Sequence, residues 1–293
     1  MPHWGRLITA MVTPFSDNLE VNYEQAIVVA QKLEREGSAG LVICGTTGEA
    51  PTLTAEEKFH LIKTVKENVR IPVIAGVGTN ATDVTIENGK QAIEAGADGL
   101  LVVTPYYNKP DQDSLYEHFK TIALAIKHPM MLYNVPGRTG INMLPTTVER
   151  LSRLENIVAL KEAGGNLVQL SETIKRVPKD FMVYTGDDAL TLPCISVGAY
   201  GVVSVAAHIV GIEMKALIDA YLRGDVENAG TIHIRLLDIF NTLFIAVNPV
   251  PVKHALNLMG YNVGALRMPL MEANHHVQAE VKRCLQELQL INE

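Results

Sequence analysis

The chain has 293 residues, 47% of them hydrophobic and 19% charged, with a formal net charge of −7, a pI of about 5.7 and a mean hydropathy of +0.13. That length holds one large domain or two smaller ones, and that apolar content buries a sizeable core, which excludes a disordered chain. An acidic balance with no basic run and no aromatic–basic interleaving argues against a nucleic-acid surface.

From the N-terminus, polar Met1–Gly5 leads into the apolar run Leu7–Val12, which lacks a basic leader and is too short for a signal peptide or a bilayer span. Similar short runs follow at Gly40–Cys44, Val73–Ala75, Gly99–Val103, Met130–Tyr133, Val158–Lys161, Phe181–Tyr184 and Gly201–Ser204. Segments of helical period lie between most of them. Asn22 is placed to N-cap the first, whose stripe is Ala26, Val29, Ala30 and Leu33, with Gly37 to stop it. Thr54-Ala55-Glu56-Glu57 has the form of a capping box, and Phe59, Ile62 and Val65 follow on one face. Leu115, Phe119, Ile122 and Ile126 form a later stripe, and Pro145 suits the first turn of another helix. Cys44, Cys194 and Cys284 form no C-x-x-C pair, so the expected compartment is a reducing cytoplasm.

Eight strand-like runs, each followed by a helix, imply a parallel sheet with right-handed crossovers. Their number and spacing match an α/β fold of the closed (β/α)8 TIM-barrel type. The structural alternative is an open doubly wound sheet with a dinucleotide loop. Gly76-Val77-Gly78-Thr79-Asn80-Ala81 approaches that loop, but the acid at the right distance, Asp98, precedes the next strand instead of ending it. After Arg223-Gly224-Asp225 no strand appears. Helical stretches are expected at Val226–Val247, Val252–Met259 and Glu272–Leu290, punctuated by Asn248-Pro249-Val250-Pro251 and Arg267-Met268-Pro269. The expected division is a catalytic barrel over 1–224 and a three-helix region over 225–293.

In such barrels the reactive residues stand at the C-terminal ends of the strands. Those ends carry Gly45-Thr46-Thr47-Gly48-Glu49, Thr104-Pro105-Tyr106-Tyr107-Asn108, Tyr133 through Gly140 with Arg138 inside, Lys161, Gly186-Asp187-Asp188 and Val203-Ser204. The run Ile157-Val158-Ala159-Leu160-Lys161 leads from a buried strand to a lysine at the edge of a dry interior. Desolvation there disfavours an ammonium and favours a nucleophilic amine. Taken alone, the stretch reads more readily as a lysine that snorkels to solvent. The neighbouring rim residues shift that balance. A glycine-flanked Thr46-Thr47 offers hydroxyls and backbone N–H groups to a carboxylate, tyrosines relay protons, and Arg138 clamps a second carboxylate. Lys161 is then a candidate Schiff-base nucleophile for a keto acid. Metal catalysis is the competing class, but the histidine pair His275-His276 and His254 lie in the helical region, and Asp187-Asp188 reads as a helix cap. No metal is expected.

These residues, from Thr9 to Asn248-Pro249-Val250-Pro251-Val252-Lys253, resemble the dihydrodipicolinate synthase family of pyruvate-dependent class I aldolases. The resemblance implies that pyruvate condenses with Lys161 and that the enamine attacks L-aspartate 4-semialdehyde. It implies a proton relay of Tyr133, Thr46 and Tyr107, the last reaching in from a neighbouring subunit. It places the pyruvate carboxylate on Thr46 and Thr47, the semialdehyde carboxylate on Arg138, and backbone carbonyls of Gly186 and Val203 along the site. It implies a homotetramer, a dimer of tight dimers, with no external cofactor. Sugar-acid aldolases that keep Thr-Thr are the alternative within the superfamily, and a catalytically silent binding barrel is the alternative outside it. Where lysine-inhibited members carry histidine and glutamate, this chain has Ala55 and Val84, and Lys58 replaces another polar ligand; Asn80 and Tyr106 are retained. Weak or absent inhibition by lysine is therefore expected.

Overall fold

A computed structural model describes residues 4–292; Met1 to His3 of the polar opening, and Glu293, lie outside them. Eight strands, β1 (Leu7–Ala10), β2 (Gly40–Ile43), β3 (Val73–Gly76), β4 (Gly99–Val103), β5 (Met130–Asn134), β6 (Ile157–Glu162), β7 (Met182–Thr185) and β8 (Gly201–Ser204), pair in sequence order into a closed parallel barrel. The eight apolar runs are these strands, two of them with the same ends and the others differing by one or two residues. The open-sheet alternative is excluded by the pairing of β1 with β8.

Alternation along each strand divides the core in two. Ile8, Val42, Ile74, Leu101, Met131 and Met182 point inward and form the barrel interior with Trp4. Leu41, Val73, Leu100, Leu132, Leu160 and Val202 point outward against the helices. Strand β6 departs from this alternation at one place. Met130 pairs with Ile157 and Met131 with Ala159, so Val158 is an extra residue opposite β5. Ile157 packs outward and Ala159 inward. Strict alternation from Ile157 would turn Lys161 toward the helices; the bulge re-phases the strand and turns it inward.

The glycines of the near-dinucleotide loop have a packing reason. A Cβ on Gly76 would stand 2.3 Å from the Cys44 carbonyl oxygen, and one on Gly78 2.4 Å from the Val103 nitrogen. Asp98 accepts from the Val73 backbone and pairs with Lys66, so it serves the sheet. The expected caps are present: Asn22 accepts from the Gln25 backbone, and Thr54 and Glu57 form a reciprocal capping box, each such cap worth about 1 kcal/mol.

The segment after Gly224 forms helices Val226–Thr242, Val250–Leu258 and His275–Glu287. The first ends five residues before the expected Val247, and Leu243–Pro249 turn back across the barrel mouth. The second starts two residues early because Pro251 is tolerated in a first turn, where no N–H is needed. No helix is long and apolar enough to cross a membrane among the described residues.

Candidate active site

A cavity of about 880 Å³ opens at the C-terminal ends of the strands, lined by Thr46, Thr47, Tyr133, Arg138, Lys161 and Gly186, with Phe240 and Asn248 from the C-terminal segment. Lys161 and Tyr133 are register partners on β6 and β5, so both side chains leave the sheet on the inner side. Lys161 Nζ stands 4.5 Å from the centroid of the Tyr133 ring, and the lysine is only 6% exposed. A Cβ on Gly186 would come within 2.8 Å of Lys161 Cε; glycine there gives the lysine its channel to the cavity.

Thr46 and Thr47 leave β2 on a loop fixed from below. Thr13 donates its hydroxyl to the Gly48 carbonyl at 2.7 Å, and Glu49 takes a left-handed conformation at φ +54°. Asn248 Nδ2 donates to Thr47 Oγ1 at 2.8 Å. Among the described residues, Lys161 Nζ, Tyr133 OH and Thr46 Oγ1 have no protein hydrogen-bond partner, so all three remain available to a ligand in the cavity. Arg138 lies on the one-turn helix Pro136–Thr139 at the mouth, its Nη2 3.5 Å from the Asn248 carbonyl oxygen.

Two of the expected site residues have side chains outside this cavity. Tyr107 is 90% exposed at φ +73° and does not line the cavity of its own chain. Tyr106 instead lines a second cavity of about 290 Å³ that shares Thr46, Tyr133 and Arg138 with the first. Val203 packs in the barrel interior as the register partner of Ile8, and the cavity wall past that strand is Val205. The side chain of Val203 therefore does not reach the site, because its inward position is still within the packed layer.

Buried carboxylates flank the centre and support its loops. Glu162, next to Lys161 but facing the other way, accepts from Asn134 Nδ2, from the Gly164 backbone at 2.8 Å and from Gln169. Burial pushes its carboxyl upward, against the opposing pull of these donors. Asp188 accepts from Ser204 and from the Val205 and Ala206 backbone, and burial likewise raises it. Asp187 caps the following turn by accepting from the Ala189 backbone, as the sequence suggests. Asn248 is the residue that sequence reasoning passed over. It stands in the Asn248-Pro249-Val250-Pro251 punctuation and in the segment that carries the family resemblance, where neither reading gives it a role of its own.

Residues 3–288 match the dihydrodipicolinate synthetase family. The chain belongs to that family. It is similar to a 4-hydroxy-tetrahydrodipicolinate synthase of Cyanothece sp. (strain PCC 7425 / ATCC 29141), 51% identical over 294 residues that cover 99% of this chain and 100% of the relative. Among solved structures it is similar to dihydrodipicolinate synthase DapA-2 of Bacillus anthracis, with a TM-score of 0.96 and 44% identity over 98% of this chain and 99% of that one. The same TM-score, with 45% identity and the same coverage, relates it to a Cyanidioschyzon merolae dihydrodipicolinate synthase with lysine bound. Full-length similarity to synthases of this family covers both the barrel and the C-terminal segment that closes its mouth.

Proposed function

We propose that this chain is a Schiff-base-forming lyase that condenses pyruvate with L-aspartate 4-semialdehyde to 4-hydroxy-tetrahydrodipicolinate, on the route to diaminopimelate and lysine. The carrying observation is the buried Lys161 amine beside the Tyr133 ring, at the floor of a cavity that also holds Thr46, Thr47 and Arg138. The Lys161 lone pair attacks the pyruvate carbonyl carbon, and the carbonyl oxygen leaves as water, giving an iminium. Loss of a methyl proton makes the enamine, whose carbon attacks the aldehyde while the aldehyde oxygen takes a proton. The amine of the adduct then attacks the former carbonyl carbon, closes the ring and expels Lys161.

In this reading Tyr133, Thr46 and Tyr107 carry protons, and Thr46 and Thr47 hold the pyruvate carboxylate. Arg138 takes the semialdehyde carboxylate with its planar fork. The backbone carbonyls of Gly186 and Val203 are assigned to the lining of the site. Tyr107, projecting from its own chain, is assigned to the relay of a neighbouring subunit in a homotetramer built from tight dimers; its exposure is compatible with that role. The division proposed is a catalytic barrel over 1–224 and a three-helix region over 225–293, of which Phe244 to Asn248 line the cavity. The setting is the cytoplasm, and the lysine replaces any external cofactor.

Arg138 decides between this substrate and a sugar aldehyde, because a carboxylate needs a cation and a sugar does not. Steady-state turnover with aspartate semialdehyde should exceed that with sugar-derived aldehydes. Arg138→Ala should lower kcat/KM for the semialdehyde by about tenfold to a hundredfold, the worth of a charge-assisted pair, with little change in the KM for pyruvate. Equal losses on both aldehyde classes would contradict the assignment.

A further inference from the structure

The polar groups of the C-terminal segment converge on the loop that carries Thr46 and Thr47. Asn248, buried at the cavity wall, donates to Thr47 Oγ1 across 201 positions of sequence, and its carbonyl oxygen faces Arg138. Five residues on, Lys253 Nζ pairs with Glu49 Oε1 at 2.9 Å, with both side chains about 1% exposed. The same ammonium donates to the Thr13 carbonyl at 3.1 Å and to that of Ala265 at 2.6 Å. The other Glu49 oxygen accepts from the Arg267 backbone at 3.0 Å. A buried ion pair therefore ties the Asn248 segment to the far end of the threonine loop and fixes their register, while Glu49 holds a conformation that only well-determined surroundings maintain.

A threonine hydroxyl has one hydrogen and two acceptor lone pairs. When an amide hydrogen occupies one lone pair of Thr47, the hydroxyl hydrogen is left for another acceptor. Among the described residues Thr47 Oγ1 has no second side-chain partner, and the residue lines the cavity. We propose that Asn248 is a positioning residue for keto-acid binding: by donating to Thr47 it turns the Thr47 hydroxyl hydrogen toward a carboxylate in the cavity. The inference rests on the reading of Thr46 and Thr47 as the cradle of the pyruvate carboxylate.

The test is a pyruvate titration of borohydride trapping at Lys161, read by intact mass and peptide mapping on the full chain, in wild type, Asn248→Ala, Thr47→Val and the double variant. The half-trapping concentration should rise about fivefold to tenfold in Asn248→Ala, the effect of one hydrogen bond. In the Thr47→Val background the same change should add nothing, because the coupling runs through the hydroxyl. The KM for the aldehyde should move less than about twofold, on the scale of a site whose own contacts are intact. A merely structural role would shift both substrates together and would add in the Thr47→Val background, and that pattern overturns the inference. Asn248→Asp, of the same shape, takes the Thr47 hydrogen instead of giving one; its half-trapping concentration should rise at least as far as that of the alanine variant, and a wild-type value overturns the inference. A wild-type chain that traps nothing overturns the underlying reading and the inference with it. Trapping in wild type with an unshifted Asn248→Ala overturns the inference alone.

Discussion

The two ends of the barrel obey the same inward–outward alternation and put it to different uses. At the N-terminal end, Trp4 is wholly buried against the first residue of β4, where a Cβ on Gly99 would stand 2.3 Å from Trp4 Cζ2. Above it the inward residues are apolar, from Ile8 and Val42 to Ile74 and Met131. At the C-terminal end the same inward positions carry Tyr133 and Lys161, which touch each other at the cavity and, among the described residues, have no side-chain hydrogen-bond partner. One end is closely packed, even at the cost of a Trp4 indole N–H without a hydrogen-bond partner, and the other opens its polar groups to the cavity. Stability and reactivity are thus separated along a single sheet.

Breaking the reactive end should cost the most. Lys161→Ala should lower condensation by on the order of 10³-fold or more, as loss of a nucleophile does, with the melting temperature little changed. At the packed end, Trp4→Ala should cost about 3–5 kcal/mol of stability by opening a cavity, read in denaturant melts. The kcat of the molecules that remain folded should stay near wild type. If Trp4→Ala reduced kcat as severely as Lys161→Ala, the separation of the two ends would not hold. The smallest effect concerns a rim outside the reaction. Val84 is half exposed in the first turn of the helix Thr82–Glu94 and offers no carboxylate to an amine, a contact worth roughly 1.5–3 kcal/mol where present. Lysine should therefore inhibit weakly or not at all, unlike what the lysine-bound relative would suggest; a sub-millimolar inhibition constant in a steady-state assay would contradict this.

Much of the barrel is legible in the sequence because a strand buried on both faces must be a short apolar run, and glycines bound most of these runs. The rim residues are legible for a related reason: chemistry-bearing types stand where apolar runs stop. The direction of Lys161 is not legible. Alternation counted from Ile157 points it outward, and only the extra residue Val158, visible in the pairing with β5, turns it inward. Asn248 is hidden by distance, since its partner Thr47 lies 201 positions away and nothing local to either residue marks the contact. The buried Lys253–Glu49 pair is hidden in the same way, because both residues would ordinarily be read as exposed. Tyr107 shows the converse: its sequence position suggests the site, whereas in its own chain the phenol projects into solvent.

Borohydride reduction in the presence of pyruvate, followed by intact mass and peptide mapping, tests most directly whether the inward turn of β6 makes Lys161 the reacting amine. The expected result is one reduced pyruvate adduct per chain, on the peptide containing Lys161, and its loss in Lys161→Ala. An unmodified chain, or an adduct mapped to any other lysine, would contradict it.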